Sequence, residues 1–434
     1  MRYFALTALT ALTALSALSA LSAATLAACL VVACSSDPSG GGTPTDPTEG
    51  GATTDGPNAA DTSIDPVDGG RDAAKKDGDT DTDGAIPDDG GKIDGGDPPG
   101  VQLIGRFEND GTGDNIAFPG SKIIARFNGA DAVVKLSQTD GFNVGEHTWM
   151  NVVVDGVLQP KIEIVGASHS YAVAQGLAAG AHTVELEKRT EGNIGVIRYE
   201  GFTFPNGGVL LGPPARAGRR LEFLSDSTVD GFGIEGNRNT TCGVGLAPPQ
   251  FNNSRKSMSA LTAAALSAET FLIGYSGKGL TKNGAESDKL LFPTLYNRSL
   301  PDSAGSVYGF ALKPDAVIIS LGGVDFDGLT SEPAGFSASY GGLVDNIRTR
   351  YPSAWIFLTV WSQIKDDNIL TRTAMKNSLA GIIAAKADPK ISYFQFPEAM
   401  VEVDETGCQY HGNEAHHASM ATLLTAEIKA KLGW

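Results

Sequence analysis

Between residues 101 and 212, short apolar runs of strand length are divided by turn signals, and none repeats with a helical period. The runs occupy 103–107, 122–127, 132–136, 150–154, 161–165, 182–186 and 196–202, with turn pairs such as Asn128-Gly129, Asp140-Gly141 and Asp155-Gly156 between them. This pattern of about seven short strands without helices predicts a β-sandwich.

Near Gly212-Pro213-Pro214 the rhythm changes. Strand-like runs at 221–224, 271–275, 316–321, 355–360 and 391–396 alternate with helix-like segments at 256–268, 337–350, 371–387 and 416–432. Such alternation predicts a parallel sheet with helices on both faces. The folded part therefore reads as a sandwich domain over 101–212 and an α/β domain over 213–434.

The first hundred residues have a different character. Arg2 precedes a long Ala/Leu/Thr/Ser run, so residues 1–33 read as an export signal. The run ends in Val31-Val32-Ala33-Cys34, a small residue before Cys, which is the pattern of a lipidated cysteine. Leu26-Ala27-Ala28-Cys29 fits the same pattern, but apolar residues follow Cys29, whereas the polar Ser35-Ser36-Asp37 follows Cys34. Cys34 is therefore the expected lipid site, and the expected location is the cell envelope or cell surface, with the outer membrane holding the anchor.

Residues 34–100 are rich in Gly, Asp, Pro and Thr and nearly free of large apolar side chains, so they cannot bury enough surface to fold. They read as a disordered acidic tether, with a typical span of roughly 45 Å for a flexible coil of this length. Positions 35–100 hold 16 acidic and 4 basic side chains, a balance of −12; the chain's −17 thus leaves −5 for the remainder. The acidity belongs to the tether, and no basic patch suggests nucleic acid. The run Asp79-Thr80-Asp81-Thr82-Asp83-Gly84 has the start of a calcium loop, but Gly90 stands at its twelfth position where a bidentate Glu is required, so it too reads as tether.

Cysteine counting agrees with export. Of four cysteines, cleavage before Cys34 removes Cys29 and modifies Cys34, leaving Cys242 and Cys408 to pair in an oxidising compartment.

The chemistry concentrates in the α/β domain. The segment Arg220-Leu221-Glu222-Phe223-Leu224 runs into Ser225-Asp226-Ser227, and the carboxyl ends of parallel strands are where such sheets bind ligands. Ser227 is the candidate nucleophile and needs a base from elsewhere in the chain. Three of the six histidines, His147, His169 and His182, lie in the sandwich. His411 sits in a loop before the last helix, where a base can reach the strand ends. His416 and His417 fall at that helix's start and read as surface or capping residues, His416 with a possible sugar contact. The small residues of Gly274-Tyr275-Ser276-Gly277-Lys278-Gly279 free backbone N–H groups for a developing oxyanion.

Taken in order, Ser225-Asp226-Ser227, Ser276-Gly277-Lys278-Gly279, Leu321-Gly322-Gly323-Val324-Asp325-Phe326 and Gly407-Cys408-x-x-His411 resemble the blocks of the SGNH (GDSL-type) hydrolases. Phe118-Pro119-Gly120-Ser121, Ala125-Arg126-Phe127, His182-Thr183-Val184 and Lys188-Arg189-Thr190-Glu191-Gly192 resemble the sandwich of carbohydrate esterase family 2. The resemblance spans about 103–434. It implies a flavodoxin-like three-layer SGNH domain preceded by a jelly-roll sandwich. It further implies an acetyl esterase of the acetylxylan esterase kind, acting on acetylated polysaccharide as a monomer without cofactor or metal. Ser227 would be the nucleophile, His411 the general base, and the Ser227 and Gly277 N–H groups the oxyanion donors, with Gly279 as fallback. Trp361 and Tyr410 are the expected sugar-binding aromatics; Trp149 is a further candidate, while Trp355 inside an apolar strand reads as core.

The sequence departs from the family's blocks in five places. Ser225 replaces the usual Gly, Val324 replaces an Asn that donates to the oxyanion, and Gly412 replaces a Pro. Cys408 stands three before His411 where the superfamily has Asp, and Gln409 stands two before it where this family often has Asp. Some family members orient the His through a main-chain carbonyl. Asp325 and Gln363 are the candidates to replace the missing donor. Two non-enzymatic readings compete: a carbohydrate-binding surface protein with a degenerate site, and a structural surface protein. Retention of both Ser227 and His411 favours the esterase.

Overall fold

The computed structural model describes residues 100–434, apart from 142–144, 238–240, 243–247, 363, 365–370 and 398–405. The signal, the tether, Cys29, Cys34, the calcium-like run and Gln363 lie outside the described residues.

Eleven strands build the first part. In chain order they are β1 (Val101–Ile104), β2 (Glu108–Asn109), β3 (Asp114–Ile116), β4 (Lys122–Asn128), β5 (Ala132–Asp140) and β6 (Thr148–Val154). They continue with β7 (Val157–Ile164), β8 (His169–Ala174), β9 (Ala181–Lys188), β10 (Gly195–Thr203) and β11 (Val209–Leu210). All pair antiparallel, in one sheet ordered β1-β4-β9-β6-β7 with β11 also on β4, and a second ordered β2-β3-β10-β5-β8. Alternation decides the faces. In β5, Ala132, Val134 and Leu136 point into the core, while Val133, Lys135 and Ser137 lie toward solvent. Ile123, Phe127, Val152 and Leu186 of the first sheet meet Val134, Leu136, Ile197 and Tyr199 of the second in one core.

The second part is a parallel sheet ordered β13-β12-β14-β15-β16, from β12 (Arg219–Ser225), β13 (Ala268–Gly274), β14 (Ala316–Ser320), β15 (Trp355–Val360) and β16 (Ile391–Gln395). β14 is buried along its whole length, as expected of a strand covered on both faces. On one face lie α1 (Met258–Ala265) and the last helix, α6 (Glu414–Leu432); on the other lie α4 (Phe336–Arg350) and α5 (Thr371–Lys386). Two one-turn helices, α2 (Phe292–Leu295) and α3 (Gly323–Phe326), sit in loops at the strand ends. The sandwich and the α/β layers fall in a single compact unit. Their joining is chemical: Phe118 of the sandwich packs into the α/β core beside Ile319 and Phe310, and Asn151 donates to Asn253 at 2.9 Å.

Candidate active site

The register of β12 aligns Ser225 with Gly274 on β13 and with Ser320 on β14, so three strands end level. The chain turns there into a tight loop carrying Ser227. Asp226, buried, accepts from the Thr228 amide at 2.9 Å and the Thr228 hydroxyl at 2.7 Å, which fixes the turn. Ser225, where a Gly was expected, is fully buried; its hydroxyl donates to the Asp226 carbonyl at 2.5 Å and accepts from the Val229 amide at 3.3 Å. The extra hydroxyl is therefore satisfied inside the turn and does not reach the reacting face.

His411 comes from a loop closed by a bridge between Thr406 and Gly412. Its Nε2 lies 2.7 Å from Ser227 Oγ. Its Nδ1 lies 3.1 Å from the Gln409 carbonyl and 3.3 Å from the Cys408 carbonyl. Carbonyl oxygens only accept, so the ring proton belongs on Nδ1, and the Nε2 lone pair faces the serine hydroxyl. Gln409 and Tyr410 both have left-handed backbones, φ 49° and 62°, and this curl aims the Gln409 carbonyl back at the ring. Burial pushes the imidazole down to about 4, against the two carbonyl contacts that raise it. The ring is therefore neutral at ordinary pH, with the Nε2 lone pair free to accept a proton. The Phe232 ring stands 4.6 Å from it. The imidazole is oriented by main chain, with neither Cys408 nor Gln409 supplying a carboxylate.

Cys242 and Cys408 are joined as a disulfide, with Cα atoms 5.5 Å apart. The bond lies on the nucleophile loop. A Cβ at Gly233 would stand 2.4 Å from Cys408 Cβ, and the Cys408 amide donates to the Gly233 carbonyl at 3.0 Å.

The expected oxyanion loop follows β13. Gly277 has φ 71°, and its carbonyl accepts from Gly284 at 2.8 Å. Among the described residues neither the Ser227 nor the Gly277 N–H donates to a protein acceptor. The Gly279 N–H is committed to Asn283 Oδ1 at 3.1 Å, which removes it as a fallback donor. Lys278 is buried and binds Asp288 Oδ2 at 2.5 Å. Asp325 is not a substitute donor: its buried carboxylate accepts from the Leu280 amide at 2.9 Å and from the Thr281 amide and hydroxyl at 2.7 Å each, bracing this same loop. Val324 is half-buried on α3, beside the nucleophile turn; a Cβ on its neighbour Gly323 would lie 3.5 Å from Asp226 Oδ2.

The two expected sugar-binding aromatics separate. Tyr410, next to His411, is 59% exposed. Trp361 is 2% exposed and packs against Phe396, His416 and His417, so it belongs to the core and offers no face to a sugar. Its place after β15 gave the misleading signal; burial by α6 decides the matter. His416 and His417 are likewise buried, not surface residues. His416 Nε2 is 2.7 Å from Ser362 Oγ, and His417 Nδ1 accepts from the Met258 amide at 3.0 Å at the start of α1. Trp149 is half-buried with Lys161 Nζ 5.1 Å from its ring. The sequence reading missed Glu191, which reaches from the sandwich to accept from the Ser276 amide at 2.6 Å.

Comparison with known proteins matches residues 103–214 to the model of the carbohydrate esterase 2 N-terminal domain. The chain is similar to the cellulase/esterase CelE of Acetivibrio thermocellus, 32% identical over 342 residues, covering 78% of this chain but only 40% of that protein's length. It is also similar to an acetylxylan esterase/glucomannan deacetylase of Cellvibrio japonicus, 23% identical, covering 77% of this chain and 90% of the relative. Among solved structures, a family two carbohydrate esterase from Clostridium thermocellum in complex with cellohexaose superposes with a TM-score of 0.69 at 32% identity, covering 77% of this chain and all of that one.

Proposed function

The chain belongs to carbohydrate esterase family 2, a family of SGNH hydrolases, and from that premise we propose that it removes acetyl groups from carbohydrate hydroxyls by a Ser–His mechanism. The observation that carries this reading is the 2.7 Å contact between His411 Nε2 and Ser227 Oγ, with Nδ1 held on main-chain carbonyls.

Ser227 Oγ attacks the acetyl carbonyl carbon while His411 Nε2 accepts its proton. The negative charge moves to the carbonyl oxygen, for which the Ser227 and Gly277 N–H groups, neither engaged by a protein acceptor among the described residues, serve as donors in this reading. Collapse breaks the bond to the sugar oxygen, which takes the proton back from His411 and leaves as the free hydroxyl. Water then attacks acetyl-Ser227 as His411 takes its proton; the bond to Ser227 Oγ breaks, Oγ takes that proton back from His411, and acetic acid departs, ionising to acetate. Tyr410, exposed beside the base, has the face on which a sugar ring stacks. The relatives' names, acetylxylan esterase/glucomannan deacetylase, and the cellohexaose held by the solved homologue support a β-linked polysaccharide as the chain that carries the acetyl group.

Val324 in place of a side-chain donor favours the alternative of a sugar-binding protein with a weakened site. Hydrolysis of an aryl acetate and of acetylated xylan by the purified protein, beside Ser227→Ala, separates the two. The esterase reading expects turnover in the wild type and none in the variant; sugar binding without turnover in the wild type supports the alternative. The tether and Cys34 further support a lipid-anchored protein of the cell envelope. Radiolabelled palmitate should be incorporated, and Cys34→Ser should abolish the label; label retained in that variant refutes the assignment.

A further inference from the structure

The segment Lys188-Arg189-Thr190-Glu191-Gly192, which starts on the last residue of β9, belongs to the sandwich in sequence but meets the loop after β13 in space. Its conformation is fixed from within. Lys188 is fully buried, and its ammonium donates to the Thr190 carbonyl and hydroxyl at 2.9 Å each and to the Glu191 carbonyl at 3.0 Å. It is also fixed from outside, by Ser254 Oγ on the Lys188 carbonyl at 2.7 Å and the Ser254 amide on the Arg189 carbonyl at 3.2 Å. The loop thus delivers the Glu191 carboxyl, 1% exposed, to one place: the Ser276 amide, at 2.6 Å.

That amide immediately precedes the peptide whose N–H belongs to Gly277. We propose that Glu191 is a positioning residue of the esterase site, through which the sandwich domain sets the orientation of the oxyanion-binding loop. The proposal rests on the Ser227–His411 reading above.

Three observations support it. Bonds on both sides bracket the Ser276–Gly277 turn: Tyr275 N–H on the Ser225 carbonyl at 3.2 Å before it, and Gly284 N–H on the Gly277 carbonyl at 2.8 Å after it. Ser276 itself is held only from the sandwich side among the described residues. The second is the cost of the arrangement. Burial lifts the Glu191 carboxyl to about 7, against the Ser276 hydroxyl and amide and the Lys188 ammonium, which lower it. Asp230 and Asp226, on the nucleophile turn, are raised by the same burial and face this carboxyl. A carboxyl in such surroundings is unfavourable for folding alone, and sites of this kind cluster where function requires them. The third is leverage, because a small displacement of an oxyanion donor is enough to lose a large factor in rate.

Steady-state kinetics on an aryl acetate, with Glu191→Ala and Glu191→Gln beside the wild type, test the proposal. Glu191→Ala should lower kcat by roughly 10-fold or more with KM within about 2-fold, since the donors act on charge that develops in the transition state. Glu191→Gln keeps an acceptor oxygen and should retain most of kcat. A wild-type kcat in folded Glu191→Ala, a loss confined to KM, or a Gln variant as impaired as the Ala variant would each overturn it. If Glu191→Ala does not fold, Glu191→Asp, one methylene short of the amide, should lose kcat in the same direction, and wild-type kcat there overturns the proposal. Amide exchange by NMR decides the geometry independently of turnover. Ser276 N–H should exchange at least about 10-fold faster in Glu191→Ala than in the wild type or Glu191→Gln, with Thr228 N–H as an unchanged reference; equal Ser276 rates overturn it. An inactive wild type would refute the esterase reading, while the exchange rates would still decide whether Glu191 holds the loop.

Discussion

At the scale of single residues, the site does with main chain what related triads do with a carboxylate. The Gln409 carbonyl holds the His411 proton on Nδ1 in place of a carboxylate, and burial outweighs the lift from the Gln409 and Cys408 carbonyls, so the imidazole falls to about 4. On the proposed mechanism the neutral ring is the base, so kcat/KM should be lost as pH falls through about 4 and be flat through the ordinary imidazole range near 6.5. A pH–rate profile with its acid limb near 6.5 would mean that the ring is more solvated than its packing against Phe232 indicates. Val324 makes a second prediction. If the Ser227 and Gly277 N–H groups act alone on the oxyanion, Val324→Asn should raise kcat by roughly 10-fold or more, toward the 10²–10³ that one donor can contribute. Steady-state kcat no higher in the folded variant would show that the role is already filled or that α3 points its side chains elsewhere. The pairing of Ser227 with His411, whose side chains stand 2.7 Å apart, was legible because motif order marks both. The Gln409 carbonyl was not, because its direction depends on two left-handed backbone angles and not on a side chain.

Among elements, the disulfide and the strand ends do the positioning. The Cys242–Cys408 bond ties the loop that carries the base to the loop that follows the nucleophile, across a sequence separation of 166. In the chain-entropy model a closure of that length is worth about 5 kcal/mol. The Cys242→Ser/Cys408→Ser double variant should therefore melt well below the wild type, and its kcat should fall because the His411 loop loses its fixed end. An unchanged Tm would refute the structural role; a lower Tm with unchanged kcat would confine the bond to stability. Both cysteines were paired by counting alone. The long strands and helices were legible too: 355–360 was expected and β15 occupies Trp355–Val360. The missed elements have physical reasons. β8 starts with the exposed, polar His169 and Ser170 and carries only the short run Tyr171–Ala174, half of it alanine; β2 and β3 are two and three residues long and rich in Asp, Asn and Glu. Trp361 was misassigned because a position past a strand end is also a position that a terminal helix can cover.

For the whole molecule, the question is why a sandwich and a hydrolase domain travel together. The polar groups buried between them give one answer. Arg106, following β1 of the sandwich, is fully buried in the α/β domain. Its guanidinium donates to Glu222 Oε1 and to the Arg298 carbonyl at 3.0 Å each, as well as to the Tyr296 carbonyl, and stacks over the Tyr308 ring at 4.0 Å. Glu222 lies inside β12, where its other oxygen accepts from the Tyr296 hydroxyl at 2.8 Å. Each partner is costly without the other, because a lone buried charge keeps its desolvation penalty and loses its compensation. Separated domains would expose or strand both, so the two parts should unfold in one cooperative transition. Calorimetry of the wild type should show a single endotherm, and Arg106→Ala, which leaves Glu222 buried and unpaired, should destabilise that single transition by about 3–5 kcal/mol. Two resolved endotherms in the wild type, or an Arg106→Ala variant with unchanged Tm, would show that the ion pair does not lock the domains. Glu222 lies on the strand that runs into the Ser227 turn, so loosening this pair should also reach that turn, and the Arg106→Ala variant should lose part of its kcat at temperatures well below its melting point.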